Sequence, residues 1–402
     1  MSQRHNRLVF TLGVISTVGP LTTDMYLATF PSIGRSLHAP NSAVQLTMVA
    51  YVMALAFGQL IYGPAADMFG RKPPLFAGMA LYCLACIGCA FAPNIHTLIL
   101  MRFFQGLGAC SGMVIARAMV RDVFRGADAV RVLSRMMLVI SVSPILAPLA
   151  GSSIAAFVSW RWVFGVLTGL ALTCSSLAFF RLSETLPPES RQPRSFSSVF
   201  GGYGRLAREP RFLALTVVVG LGSSTIFSYI SGASLLFIQD YGIAPSLFSM
   251  VFAANAVGMI TMAQFNSGLV RRFGAPALVM TGCILTSLFL VPLAIMTHFG
   301  LPPLWVVLPL LVLTFASIGL IQGPATMLAM ETQKQGAGSA SAALGTLQFG
   351  LAATASAIVS ALGGDHGGGM FGVMAGCCLA ALLICLIVLR RPRAGRLEPI
   401  RP

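Results

Sequence analysis

Two charged side chains interrupt long apolar stretches of this sequence. Asp24 falls within the stretch 8–32 and Arg102 within 97–118. A charge at the middle of a membrane helix costs at least about 2.5–3.5 kcal/mol and is usually kept for a function. At 1.5 Å per residue, both side chains should lie at similar depth in the outward third of the membrane. We therefore predict either a proton-transfer pair, in which Asp24 titrates and Arg102 tunes it, or a structural ion pair.

The elements that position these residues follow from composition. The 402 residues are 56% hydrophobic and only 9% charged, with a mean hydropathy of +0.84. Such a chain cannot cover a soluble globular surface, so we predict an integral membrane protein in contact with a lipid bilayer. The net charge of +15 is scattered between apolar runs. It forms no basic stripe with aromatics, and this excludes nucleic acid as a partner.

Motifs for several kinds of chemistry are missing. Neither Lys72 nor Lys334 stands in a phosphate-binding G-x-x-x-x-G-K-[ST] context, and the histidines are isolated. The nine cysteines lie in apolar stretches, where a disulfide framework is not expected. We therefore predict no enzyme activity, no metal and no cofactor, with a proton gradient as the energy source.

Twelve apolar stretches are long enough to cross a bilayer. The long stretch 273–330 counts as two, because Pro302 and Pro303 supply a turn. The predicted spans lie in 8–32, 36–66, 73–101, 97–118, 136–160, 162–180, 212–239, 241–270, 273–330 (two), 335–364 and 366–389.

Arginines concentrate on one side of these spans. The positive-inside rule makes that side cytoplasmic and puts both termini there, which indicates a multi-pass membrane protein. A segment rich in Pro, Ser and Arg separates the first six spans from the last six, and we predict that it is a cytoplasmic linker. The predicted units are an N-terminal half 1–182, a linker 183–210, a C-terminal half 211–391 and a cytoplasmic tail 392–402.

A loop between the second and third spans carries a recognisable motif, which comprises Gly63, Asp67, Gly70, Arg71 and Lys72. It resembles the signature loop G-x-x-x-D-x-x-G-R-[RK] of the major facilitator superfamily, and a weaker copy stands at 271–276. The resemblance implies an all-α membrane protein of twelve transmembrane helices in two six-helix halves. It also implies that this loop latches one conformation.

Two further motifs narrow the resemblance. The residues Leu98, Arg102, Gln105 and Gly106 resemble the fourth-span motif of drug–proton antiporters, in which the arginine is tied to proton transfer. In the fifth span, Pro144, Pro148 and Gly151 resemble the antiporter motif that kinks and thins this helix. Ala147 and Ala150 stand where that motif usually has glycine.

The first span (Thr23 to Leu27), segments of the second span (44–47 and 58–64) and 337–341 are similar to the bicyclomycin/chloramphenicol type of drug:proton antiporter. Where that branch commonly has proline after D-M-Y-L, this chain has Ala28. The resemblance covers about residues 10–390. It implies secondary active export of small hydrophobic drugs by alternating access, by a protein that we expect to be a monomer.

The resemblance also implies roles for individual residues. Proton coupling falls to Asp24, Arg102 and Gln105. Polar or aromatic residues stranded in apolar spans are candidates for the substrate cavity: Tyr26, Tyr51, Gln59, Phe227, Tyr229, Asn255 and Gln348.

Two alternatives remain open. The same fold could import a small nutrient by proton symport, although the fifth-span motif argues against import. The second alternative is a membrane receptor or scaffold that transports nothing. In such a protein the buried Asp24 and Arg102 would have no function.

Overall fold

A computed structural model of the chain describes residues 3–124, 126–191, 204, 206, 208–331, 333, 337–362 and 367–389. Within these ranges every regular element is helical, and twelve helices are long and apolar enough to span a membrane. The predicted fold class is confirmed. The middle of the linker, 192–203, and the tail, 392–402, lie outside the described residues.

Spans 1–6 form the N-terminal half. In order they are Gln3–Leu27, Asn41–Phe69, Lys72–Ala90, Ile95–Val123, the pair Gly126–Ile140 and Ser143–Phe157, and Arg161–Arg181. A short helix, Phe30–Ser36, follows span 1. The predicted first span continued to residue 32, but the helix ends at Leu27. Pro31 lacks the backbone N–H that a continuous helix requires at that position.

Spans 7–12 form the C-terminal half. They are Pro210–Leu235 with a π-helical turn at Leu236–Asp240, Pro245–Phe273, Ala275–Met296, Leu304–Glu331, Ala337–Leu362 and Gly368–Leu389. All twelve helices, span 1 included, occupy the predicted stretches to within about eleven residues at either end.

The halves meet along two pairs of helices. Span 2 packs against span 11, and span 5 packs against span 8. Large apolar side chains on the outside of the bundle are exposed, as contact with lipid requires, and examples are Phe157, Phe180 and Phe299. The two ends of the bundle are named here by one residue each: the Arg71 end, where spans 2, 4, 6, 8 and 10 finish, and the Asn41 end opposite.

Span 5 is broken near its middle. Its first helix ends at Ile140 and its second begins at Ser143, with Pro144 in the first turn and Pro148 inside. Proline is tolerated in a first helical turn, where its missing N–H is not needed, but it disrupts an interior turn. The break places the backbone near Ser143 beside span 1.

Candidate functional site

Asp24 lies near the Asn41 end of span 1, with 5% of its surface exposed. Ser143 Oγ, at the break in span 5, donates a hydrogen bond of 3.2 Å to Asp24 Oδ2. The neighbouring Gly151 packs so closely that an added Cβ would lie 2.0 Å from the carbonyl oxygen of Met25. Gly151, a residue of the fifth-span motif, therefore allows span 5 to contact the backbone of the segment that carries Asp24.

Arg102 is fully buried in span 4 and is held by aromatic rings. Its guanidinium carbon lies 4.1 Å from the ring centre of Tyr26 and 4.3 Å from that of Tyr51. Its Nη1 donates to Gln105 Oε1 at 2.6 Å. Stacking between two rings partly replaces the hydration that burial removes from a cation. We call Arg102, Tyr26, Tyr51 and Gln105 the arginine cage.

The structural ion pair considered for Asp24 and Arg102 does not form. The ion pairs among the described residues join Arg71 to Asp67 and to Asp122. Tyr26 follows Asp24 by two residues, so the arginine cage and the carboxyl lie on the same segment of span 1 at similar depth. Of the three predicted proton-coupling residues, Arg102 and Gln105 bond to each other, whereas Asp24 has a separate partner in Ser143.

The signature loop forms a network of charges at the Arg71 end. Arg71 donates from Nη1 to Asp67 Oδ1 at 2.6 Å, and from Nε and Nη2 to the two carboxylate oxygens of Asp122 at 2.8 and 3.1 Å. Burial alone would lower the pKa of Arg71, but the hydrogen bonds to Asp122 and Asp67 outweigh it and raise that pKa. The network joins span 2 to the end of span 4.

Glu184, which follows span 6, ties the loop to a third helix. Its carboxylate accepts hydrogen bonds from the backbone N–H groups of Arg71, Lys72, Thr185 and Leu186. Burial would raise the pKa of Glu184, but these four bonds to the charged form lower it below its ordinary value. Gly70 has a φ of +90°, and a Cβ there would lie 2.8 Å from Glu184 Oε2. Only glycine fits this turn.

Sequence reasoning missed Asp122, Glu184 and Ser143. Asp122 and Glu184 are acids at the ends of spans 4 and 6, on the side where cations dominate. Both residues could have been noticed in the sequence, because each is an acid within loops that are otherwise strongly basic. Ser143 carried no signal of its own, because its role depends on how span 5 is rotated.

The predicted cavity residues fall into separate places. Tyr26 and Tyr51 belong to the arginine cage, whereas Tyr229 and Asn255 bond to each other at 2.9 Å in the C-terminal half, with Phe315 against the tyrosine. The other three are reported by their contacts: Phe227 packs on Phe349, Gln348 donates to Ser223, and Gln59 lines a cleft at the Arg71 end.

Hydrogen bonds between the halves cluster at the Asn41 end. Asn41 Nδ2 donates to Gln239 Oε1 at 2.9 Å, Gln45 Nε2 to the carbonyl oxygen of Ser231 at 3.0 Å, and Ser360 Oγ to that of Ser42 at 2.9 Å. Each of these contacts is neutral. We call them the amide gate.

Span 5 also crosses between the halves. Ser249 of span 8 donates to the carbonyl oxygen of Pro148 at 3.0 Å and contacts Ser152 Oγ at 3.3 Å. The helix that contacts Asp24 through Ser143 therefore also contacts the C-terminal half.

The chain matches a known protein family over most of its length. The family profile described as Major Facilitator Superfamily matches residues 12–356. The chain belongs to this superfamily. Both the resemblance and the implied two-half fold are confirmed, and the chain is a multi-pass transporter of the bacterial inner membrane.

Individual relatives in the superfamily cover most of the chain. An uncharacterized MFS-type transporter of Bacillus subtilis is 36% identical over 88% of each chain. A bicyclomycin resistance protein homolog of Haemophilus influenzae is 27% identical over 95% of this chain and 96% of its own. The crystal structure of a D-xylose-proton symporter superposes with a TM-score of 0.78 over 96% of this chain and 98% of that one, at 15% identity. The last similarity shows the fold alone.

Proposed function

We propose that this transporter exports small, moderately hydrophobic drugs in exchange for protons, with the Arg71 end in the cytoplasm. The observation that carries the proposal is Asp24, a carboxyl that is buried in span 1, bonded to Ser143 and free of an ion pair with Arg102. A carboxyl without a fixed cationic partner can change its protonation state as access to water changes. The relative named for bicyclomycin resistance supports drugs as the substrate class.

The coupling step would use the contacts of span 5. When the site opens outward, Asp24 takes up a proton and its bond with Ser143 is altered. Because span 5 also contacts Ser249 of the C-terminal half, a shift at Ser143 changes how the halves meet. Proton release toward the cytoplasm restores the first arrangement. Each proton that enters supplies about 2.3 kcal/mol per 100 mV of membrane potential, in addition to the pH gradient.

The arginine cage would keep its positive charge throughout this cycle. An arginine does not lose its proton in a protein. Gln105 and the two tyrosines fix the position of its guanidinium, while Asp24 keeps a separate partner, Ser143.

One experiment tests the function. A bacterial host that lacks its own drug pumps expresses the chain, and its susceptibility to a panel of antibiotics is measured with and without a protonophore. We expect resistance that the protonophore abolishes. Growth on a limiting nutrient instead of resistance would favour the symport alternative, and no phenotype for any compound would leave the receptor alternative.

A further inference from the structure

A cleft between the halves at the Arg71 end has the chemistry of an anion site. It lies where span 2 and span 4 face the beginning of span 11, and its lining includes Gln59, Arg117, Arg121, Gly338 and Ser339. The free volume is about 60 Å³. That is room for a few water molecules or one small oxyanion, and far too little for a drug.

Two further cations in this cleft, Arg117 and Arg121, form no ion pair among the described residues, although Asp67 and Asp122 act electrostatically on Arg121. Arg71, at the edge of the cleft, is neutralised by Asp67 and Asp122. Within the described ranges, neither Arg117 nor Arg121 forms an ion pair, and the bond given for Arg117 runs from Nε to the carbonyl oxygen of Met113 at 2.9 Å. Arg117 stands six residues inside the end of span 4, at a depth where an uncompensated charge is costly.

Further residues with hydrogen-bond donors line the same cleft. Gln59 is 3% exposed, and its Nε2 has no hydrogen-bond partner. A buried amide donor without an acceptor destabilises the fold unless a ligand or water satisfies it. Across the cleft, span 11 begins at Ala337, and the first four N–H groups of a helix have no acceptor within the helix. The positive end of that helix dipole faces the two arginines.

One oxygen of the acid that lines this cleft is already engaged. Asp67 lines the cleft, but its Oδ1 bonds to Arg71 at 2.6 Å. We propose that the cleft binds a phosphate or carboxylate group from outside the chain, held by Arg117, Arg121 and Gln59 on one side and by the start of span 11 on the other. Such a group would join the two halves and stabilise the arrangement in which spans 2 and 11 approach each other at this end.

Two sources carry this chemistry, an anionic lipid headgroup and a soluble oxyanion. The first arm of the test uses inorganic phosphate. The purified full chain in neutral detergent is unfolded thermally in sodium phosphate and in sodium chloride of equal ionic strength. We expect phosphate to raise Tm by several degrees beyond chloride. Arg117→Gln and Arg121→Gln should each lose most of that increment, and Arg181→Gln, an exposed arginine at the same end outside the cleft, should keep it.

The second arm uses nanodiscs of phosphatidylcholine alone or with one quarter phosphatidylglycerol. Hydrogen exchange is followed at 113–121 and at 337–345. Protection by phosphatidylglycerol that is lost in Arg117→Gln, without a phosphate effect in detergent, assigns the site to a lipid headgroup. A phosphate effect in detergent assigns it to a small anion. Equal stabilisation by chloride and phosphate together with no protection by phosphatidylglycerol overturns the proposal. So does an increment that Arg117→Gln and Arg121→Gln retain.

Discussion

At the scale of single residues, the proposed proton coupling rests on one carboxyl and the few groups around it. The sequence identified Asp24 and Arg102 because a charge inside an apolar run is visible without a structure. It could not assign their partners, since Ser143 is 119 residues from Asp24 and its contact depends on the rotation of a broken helix. It also overlooked Arg117, a second charge within the stretch that carries Arg102.

The first prediction concerns Asp24→Asn. The amide has nearly the shape of the carboxyl but cannot carry a titrating proton, so we expect loss of proton-coupled efflux with normal insertion and folding. Efflux of a fluorescent substrate from everted vesicles, with Tm measured in parallel, checks this. Glu189→Gln, an exposed change in the loop after span 6, is the control. Full drug resistance in Asp24→Asn would remove this residue from the coupling mechanism.

A second prediction tests Ser143 as a positioning residue. Ser143→Ala removes the donor to Asp24 and leaves the carboxyl in place, so we expect the pH profile of efflux to shift while drug binding changes less than about twofold. Removing one uncharged donor to a charged acceptor costs about 1.5–3 kcal/mol. Ser143→Thr, which keeps a hydroxyl, should restore the profile. Ser141→Ala, a half-buried serine at the same break that bonds to the carbonyl oxygen of Leu138, serves as the matched control. An identical profile in Ser143→Ala would leave the hydrogen bond without a role in coupling.

The arginine cage gives a third prediction. Arg102→Lys retains the charge but loses the planar group that stacks between Tyr26 and Tyr51 and reaches Gln105. Because arginine and lysine are not equivalent at a stacked site, we expect a clear loss of transport and a destabilisation of about 2 kcal/mol. Thermal unfolding and vesicle efflux measure the two effects. Arg35→Lys at the exposed Asn41 end should be neutral in both.

At the scale of elements, the loop between spans 2 and 3 is held by acids of unequal exposure. The side chain of Asp122 is 17% exposed and that of Asp67 is 48% exposed. Solvent screening makes the Asp67 pair worth about 1 kcal/mol or less, whereas breaking the more buried pair leaves Arg71 without its two-point partner at a cost of several kcal/mol. We expect Asp122→Asn to slow turnover more than Asp67→Asn, with little change in drug affinity for either. A greater effect of Asp67→Asn, or loss of binding, would contradict this ranking.

Glu184 gives a pH prediction at the same loop. Its folded-state pKa is depressed by four backbone hydrogen bonds, so its stabilising contribution is present above the unfolded value of about 4.5 and is lost as pH falls through the lower folded value. We expect hydrogen exchange at 69–72 to rise on acidification through that window. Glu184→Gln should show raised exchange already at pH 7 and little further change. A pH response that is unchanged in the variant would assign it to another group.

Element boundaries were largely predictable, because apolar runs and charges mark the ends of spans directly. The contacts between elements were harder to predict from the sequence. The signature loop was recognised by its residues, but its fastening to the end of span 6 was not, since the four donors to Glu184 are backbone groups that every sequence possesses.

At the scale of the whole molecule, the proposed alternating access requires the halves to separate at the Asn41 end for the site to face outward. Asn41 and Gln239 face each other there. In Asn41→Cys/Gln239→Cys, oxidation should join the halves and abolish transport, and a reductant should restore it. Each single variant, treated with the same oxidant, should keep transporting. Undiminished transport by the cross-linked protein would mean that this end need not open.

The two ends of the bundle are held together by different kinds of contact, ionic at the Arg71 end and uncharged at the Asn41 end. The latch at the Arg71 end is ionic, so dissolved salt and acid can loosen it. The amide gate contains no charged partner in its three hydrogen bonds, so neither salinity nor acidity weakens it through titration or screening. With the amide gate facing outward, as proposed, the uncharged contacts meet the variable salt and pH of the surroundings. The ionic contacts of Arg71 then face the cytosol, where salt and pH are regulated. Closure of the amide gate should then be unaffected by external salinity or pH, whereas the driving force for the proposed efflux still follows the external pH.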